Sequence, residues 1–223
     1  MNTEAPVIFV VDDDLSVRKA LRRLFQVAGF SVEVFASAKE FLEQKRADEL
    51  GCLVLDVRMP GMSGLTLQEA IQATGQSLPI VFLTGHGDVP TSVRAMKAGA
   101  VDFLEKPFDS GVLLDTVRKA IERHRQTRQD DAELREMREL LGRLTPRERE
   151  VVDMVVQGVL NKRIALHLGI TERTVKAHRA QVMEKLGIAS TAELARLVER
   201  VNLTDARRAP RPAGDGTPTE APP

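Results

Sequence analysis

Val7-Ile8-Phe9-Val10-Val11 runs without a polar break into Asp12-Asp13-Asp14, and the same figure recurs three times. Cys52 to Leu55 ends in Asp56, Ile80 to Leu83 in Thr84, and Val101 to Leu104 in Glu105 and Lys106. Apolar runs of this length, separated by helical periodicity, predict strands buried on both faces, as in a parallel sheet. The carboxyl ends of such strands share one edge, so Asp12, Asp13, Asp56, Thr84 and Lys106 are expected in one crevice although they lie far apart in the chain.

Up to about Arg125 strand and helix patterns alternate five times. Gly29 follows the run holding Val17, Leu21, Leu24 and Phe25, Ser37-Ala38-Lys39-Glu40 reads as a capping box, and Gly99 closes the helix of Val93 and Met96. The economical fold is α/β, a flavodoxin-like, doubly wound, five-stranded parallel sheet over residues 6–124. Residues 125–143 are highly charged yet keep Leu134, Met137 and Leu141 on one stripe that continues to Leu144. A helical connector, able to pair with a partner helix, and a solvated linker are both open for that segment.

Residues 144–203 hold four helical patterns and no strand. Thr145-Pro146-Arg147-Glu148 combines a capping box with proline at the first helical position; Gly158, Asn161, Gly169, Thr171 and Ser190 with Glu193 mark the later boundaries. The segment 204–223 contains five of the eleven prolines and is read as a disordered tail.

Zero net charge conceals a division. Residues 1–124 carry 14 Lys+Arg against 17 Asp+Glu, whereas residues 145–223 carry 13 against 10. Lys162 to Lys185 holds six basic and two acidic residues, pointing to an output module that meets a polyanion. The single cysteine, Cys52, lies in an apolar run and cannot form an internal disulfide. No stretch reaches the roughly 20 apolar residues of a membrane span, so no membrane association and a cytoplasmic setting are expected.

A carboxylate can accept a phosphoryl group if a cation neutralises the crowded charge. Asp12, Asp13 and Asp56 offer hard oxygen ligands for Mg2+, Lys106 a mobile positive charge, and Thr84 a hydroxyl donor. Singly, each has a plain alternative: a turn and helix cap, a strand end, a surface lysine. Their joint position at successive strand ends favours the site.

Val10 to Asp14, Leu55-Asp56-Val57-Arg58-Met59-Pro60-Gly61-Met62-Ser63-Gly64, Leu83-Thr84-Gly85-His86-Gly87 and Glu105-Lys106-Pro107-Phe108 resemble the receiver domain of two-component response regulators. The resemblance implies Asp56 as phosphoacceptor, Asp12, Asp13, Asp56 and the Arg58 main-chain carbonyl as metal ligands, and Thr84 and Lys106 as contacts of the phosphoryl group. It implies a switch of Thr84 and Phe103, the latter without the hydroxyl of a tyrosine, a cis peptide at Lys106-Pro107, and a dimer face around Val93 and Lys97. With four histidines and one cysteine in the chain, His86 is read as a loop residue, not a metal ligand.

Asn161-Lys162-Arg163-Ile164-Ala165, Leu168-Gly169-Ile170 and Thr171 to Lys176 form a helix, a turn and a second helix. In such a helix-turn-helix the second helix enters the major groove. Val175, Val182 and Leu186 are expected in the core, Lys176 at a base edge, and Lys162, Arg173, Thr174, His178 and Arg179 at phosphates or in solvent. The segments Leu144 to Val151 and Thr174 to His178 resemble the LuxR-type DNA-binding domain, and the whole chain resembles the FixJ/NarL family, FixJ branch. The implied function is a non-enzymatic transcription regulator. Its partners are a sensor histidine kinase, promoter DNA, a second copy on phosphorylation, and RNA polymerase. Two rival classes are a phosphohydrolase of the haloacid dehalogenase type, disfavoured because Arg58 stands where the general acid belongs, and a protein-binding adaptor.

Overall fold

The computed structural model describes residues 5–44, 49–85 and 89–208. His86, Gly87 and Asp88, and residues 209–223 of the tail, lie outside them. The chain divides into two compact units at residues 129 and 130.

The first unit has strands β1 (Val7–Val11), β2 (Ser31–Phe35), β3 (Gly51–Asp56), β4 (Ile80–Thr84) and β5 (Asp102–Glu105). All are parallel, in the order β2-β1-β3-β4-β5. The helices are α1 (Leu15–Val27), α2 (Ala38–Glu43), α3 (Gly64–Ala73), α4 (Val89–Lys97) and α5 (Ser110–Gly142). Strand alternation sends side chains to two apolar layers. Phe9, Val11, Leu53, Leu55 and Phe82 pack with Phe41, Leu67, Ile71 and Ala95; Ile8, Val10, Cys52, Val54 and Val81 pack with Leu21, Phe25, Leu113 and Val117. Register pairs Val11 with Leu55, Asp56 with Leu83, and Thr84 with Glu105, so the polar strand ends align on one edge.

The capping expected at Ser37 forms differently. Ser37 accepts from the Glu40 amide, but the Glu40 carboxylate reaches the amide of Ala36, one residue ahead of the cap. At the opposite edge of the sheet His124, only 5% exposed, meets the Gly51 carbonyl through Nδ1. Burial, then the Arg128 charge, hold its pKa below the usual histidine range despite that hydrogen bond.

Helix α5 runs unbroken through the stretch read as a connector. Leu134 is buried, and Leu140 and Leu141 pack on the second unit's core. That unit adds α6 (Pro146–Val156), α7 (Asn161–Leu168), α8 (Glu172–Leu186) and α9 (Thr191–Arg208). The Thr145 to Glu148 capping box is present in both directions. Gly169 takes φ +65, the left-handed conformation that closes α7 and that glycine adopts without strain. Helix α9 extends five residues past the expected end at Leu203, since Thr204 to Arg208 include no breaker before Pro210.

Candidate functional site

At the carboxyl edge of β1, β3 and β5, the Lys106 ammonium lies 2.7 Å from both Asp12 Oδ2 and Asp56 Oδ1. Its partners are 94 and 50 residues away in sequence, so only the parallel register brings them together. Asp12 is 2% exposed and Asp56 7%. The free oxygens are held too: the Asp14 amide donates to Asp12 Oδ1 at 2.9 Å and the Arg58 amide to Asp56 Oδ2 at 2.8 Å. Burial raises the Asp56 pKa, and the neighbouring Asp12 charge adds to it, against the opposing pull of Lys106 and the Arg58 amide. For Lys106 burial works against the charge, but hydrogen bonds to Asp12 and Asp56 outweigh it and hold the pKa above the ordinary lysine range.

Thr84 is buried at the end of β4, and its carbonyl accepts the Lys106 amide at 2.7 Å. Lys106-Pro107 is cis. Phe103 is half-buried, its ring tilted 41° at 6.1 Å from Phe82. Asp13, next in the chain to Asp12, is exposed. Asp14, third in the acidic run, caps α1 by accepting from the amides of Ser16 and Val17. Its pKa falls through the bonds from the Ser16 hydroxyl and amide.

Two supporting roles escaped the sequence reading. Arg18 donates from Nη1 to the Asp12 carbonyl at 2.5 Å, fixing the turn that presents the acidic residues. Gly64 approaches β3 so closely that a Cβ there would collide with the Asp56 carbonyl oxygen. The first had a faint signal, an arginine one helical turn inside α1; the second closes the receiver motif that begins at Leu55, where no role was assigned to it.

Among the described residues, no three acidic, histidine or cysteine side chains stand together as a ready-made metal cage. Two buried carboxylates do converge on one cation, the Lys106 ammonium. That donor set fits Mg2+, which takes one or two carboxylates and completes its shell with water and phosphate oxygens.

On α4, Val89, Val93 and Met96 are exposed apolar side chains, at 74%, 45% and 45%. Lys97 lies in the last turn. In the second unit Val175, Val182 and Leu186 are buried as expected. Lys162, Arg173 and Lys176 are exposed, and Lys176 makes a distant pair with Glu172 at 3.9 Å. Thr174 is half-buried and bonds to Thr171, and among the described residues Nδ1 of the half-buried His178 has no partner. Arg179 is turned inward, at 2.7 Å from Asn161 Oδ1 and 2.9 Å from Thr191 Oγ1. No described helix is long and apolar enough to cross a membrane.

An acidic strand-end site on a parallel sheet, followed by a basic helix-turn-helix, defines a switch module joined to a DNA-binding module. Residues 8–118 match the response regulator receiver domain, and residues 142–198 match the luxR family of bacterial regulatory proteins. Nodulation protein W of Bradyrhizobium diazoefficiens is 45% identical over 198 residues, covering 89% of this chain and 87% of that protein. Transcriptional regulatory protein FixJ of Azorhizobium caulinodans is 43% identical over 217 residues, covering 97% and 99%. The solved structure of response regulator StyR is similar with 49% identity and a TM-score of 0.81, over 88% of this chain and 99% of that one. The chain belongs to the response regulators that join a receiver domain to a LuxR-type DNA-binding domain, the family of FixJ. Members are transcriptional regulators in which phosphorylation and DNA binding are expected.

Proposed function

We propose that Asp56 is the phosphoacceptor, that Asp12, Asp13, Asp56 and the Arg58 carbonyl hold Mg2+, and that Thr84 and Lys106 contact the phosphoryl group. The observation that carries this is the convergence of Asp12, Asp56 and Lys106 within 2.7 Å contacts. Bound Mg2+ would offset the negative charge that gathers as phosphoryl oxygens approach two buried carboxylates.

In the transfer, an Asp56 carboxylate oxygen forms the new bond to phosphorus while the P–N bond of the kinase phosphohistidine breaks, leaving the electron pair on the imidazole. Burial, by removing water from Asp56, makes its carboxylate a better nucleophile. Lys106, already bonded to Asp12 and Asp56, pairs with a phosphoryl oxygen, and the Thr84 hydroxyl donates to another. Movement of Thr84 makes room beside Phe82 for Phe103, and the change biases the receiver between two states. The exposed apolar face of Val93 and Met96, with Lys97, then serves as the dimer face.

The organisation is a receiver over 6–124, a connector over 125–143 and a DNA-binding domain over 144–203. Lys176 reads a base edge from α8, with Lys162 and Arg173 at phosphates. The regulator is not an enzyme; it works in the cytoplasm with a sensor histidine kinase, promoter DNA and RNA polymerase. Incubation with acetyl phosphate and Mg2+, followed by intact-mass measurement, tests the site. Wild type should gain one phosphoryl group that maps to Asp56, and Asp56→Asn should gain none. A phosphoryl group retained by Asp56→Asn, or mapped elsewhere in wild type, would sink the assignment.

A further inference from the structure

Every basic residue on α8 is a candidate phosphate contact by charge, but Arg179 is engaged elsewhere. Its Nη1 donates to the side-chain oxygen of Asn161, the first residue of α7, at 2.7 Å. Its Nη2 donates to the hydroxyl of Thr191, the first residue of α9, at 2.9 Å. One guanidinium thus ties the starts of two helices to the middle of a third, over sequence separations of 18 and 12 residues. Arg173 and Lys176, by contrast, are exposed, and Ala177 and Ala180 leave the outer face of α8 small. Arg179 and Thr191 line a small recess together with Val151, Val182 and Leu194 of the apolar core.

We propose that Arg179 is a positioning residue, a clamp that fixes the helix-turn-helix geometry for sequence discrimination, and not a contact to the DNA backbone. The proposal rests on the reading of α8 as the recognition helix. The planar fork of arginine reaches two acceptors at once; lysine carries the same charge but a single point donor. The clamp therefore depends on the fork, whereas a phosphate contact depends on charge.

The test uses full-length wild type, Arg179→Lys and Arg179→Met, each with beryllofluoride and Mg2+. The probes are a duplex selected by wild type from a random pool and an unselected duplex of equal length. Circular dichroism confirms that each variant is folded at the temperature used. Under the clamp, both variants lose about tenfold or more in discrimination between the duplexes, the scale of losing a charge-assisted hydrogen bond. The salt dependence of wild type is retained by both. Hydrogen exchange in free protein, independent of DNA, should quicken at the starts of α7 and α9.

If Arg179→Met lowers the salt slope by about 0.9 and weakens both duplexes alike, while Arg179→Lys behaves as wild type, Arg179 is a phosphate contact and the clamp is wrong. Unchanged discrimination or exchange in the variants also overturns it. Wild type that selects no duplex and binds none with a salt slope would defeat the recognition-helix reading itself, a distinct failure.

Discussion

Replacing Glu148 by Gln should uncouple α6 from α8 with little change in shape. Glu148 is 2% exposed. It accepts from Lys185 Nζ at 2.7 and 2.8 Å, from the Thr145 amide at 2.8 Å and from the Thr145 hydroxyl at 3.0 Å. Led by the Lys185 hydrogen bond, these contacts lower its pKa from 4.5 to about 2. At roughly 1.4 kcal/mol per pH unit, that corresponds to about 3.5 kcal/mol. Lys185 is 40% exposed, so water screens the pair and about 2 kcal/mol is the better expectation.

The folded pKa is depressed, so the stabilisation is fully present above pH 4.5 and lost as pH falls towards 2. In a domain of this size, 2 kcal/mol lowers the melting temperature by roughly 8–16 °C. The chain has no Trp or Tyr, so calorimetry and far-ultraviolet circular dichroism of the helical unit are the suitable assays. The gap between wild type and Glu148→Gln should be widest near neutrality and close on acidification. A gap below about 0.5 kcal/mol at pH 7, or one that does not narrow towards pH 2, would refute the reasoning.

Two further outcomes follow from the receiver. Gly64→Ala should push the backbone of Asp56 out of place; the expected result is a loss of about 2 kcal/mol or more with slowed acetyl-phosphate phosphorylation, and wild-type rates together with wild-type melting would contradict it. His124 is held neutral by burial with its pKa lowered, so receiver stability is present above the unfolded histidine value of 6.5 and declines as pH falls below it. Melting of wild type and His124→Asn between pH 7.5 and 5.5 checks this; equal pH slopes in the two proteins would count against it.

Strand ends were readable because continuous apolar runs have few alternatives, and their polar terminators then had one edge to occupy. β2 was less distinct, since Ser31 and Glu33 interrupt an edge strand that is only partly buried. The break between connector and receiver was not visible as a helix end because none exists: α5 continues through Arg125 to Gly142. In the site, residue types announced Asp12, Asp56 and Lys106, whereas Arg18 left little pattern and Gly64, although inside the receiver motif, acts through a backbone approach that no residue type spells out. The Glu148–Lys185 pair spans 37 residues, beyond any local periodicity. Arg179 looked like every other cation on α8, and only the positions of Asn161 and Thr191 distinguish it.

The most direct measurement is DNA binding and oligomeric state of full-length wild type and Asp56→Asn, with and without beryllofluoride and Mg2+. The account predicts that the analogue dimerises wild type and tightens binding to a selected duplex, and does neither for Asp56→Asn. Equal DNA binding by both proteins, with and without the analogue, would contradict control of the output domain through Asp56.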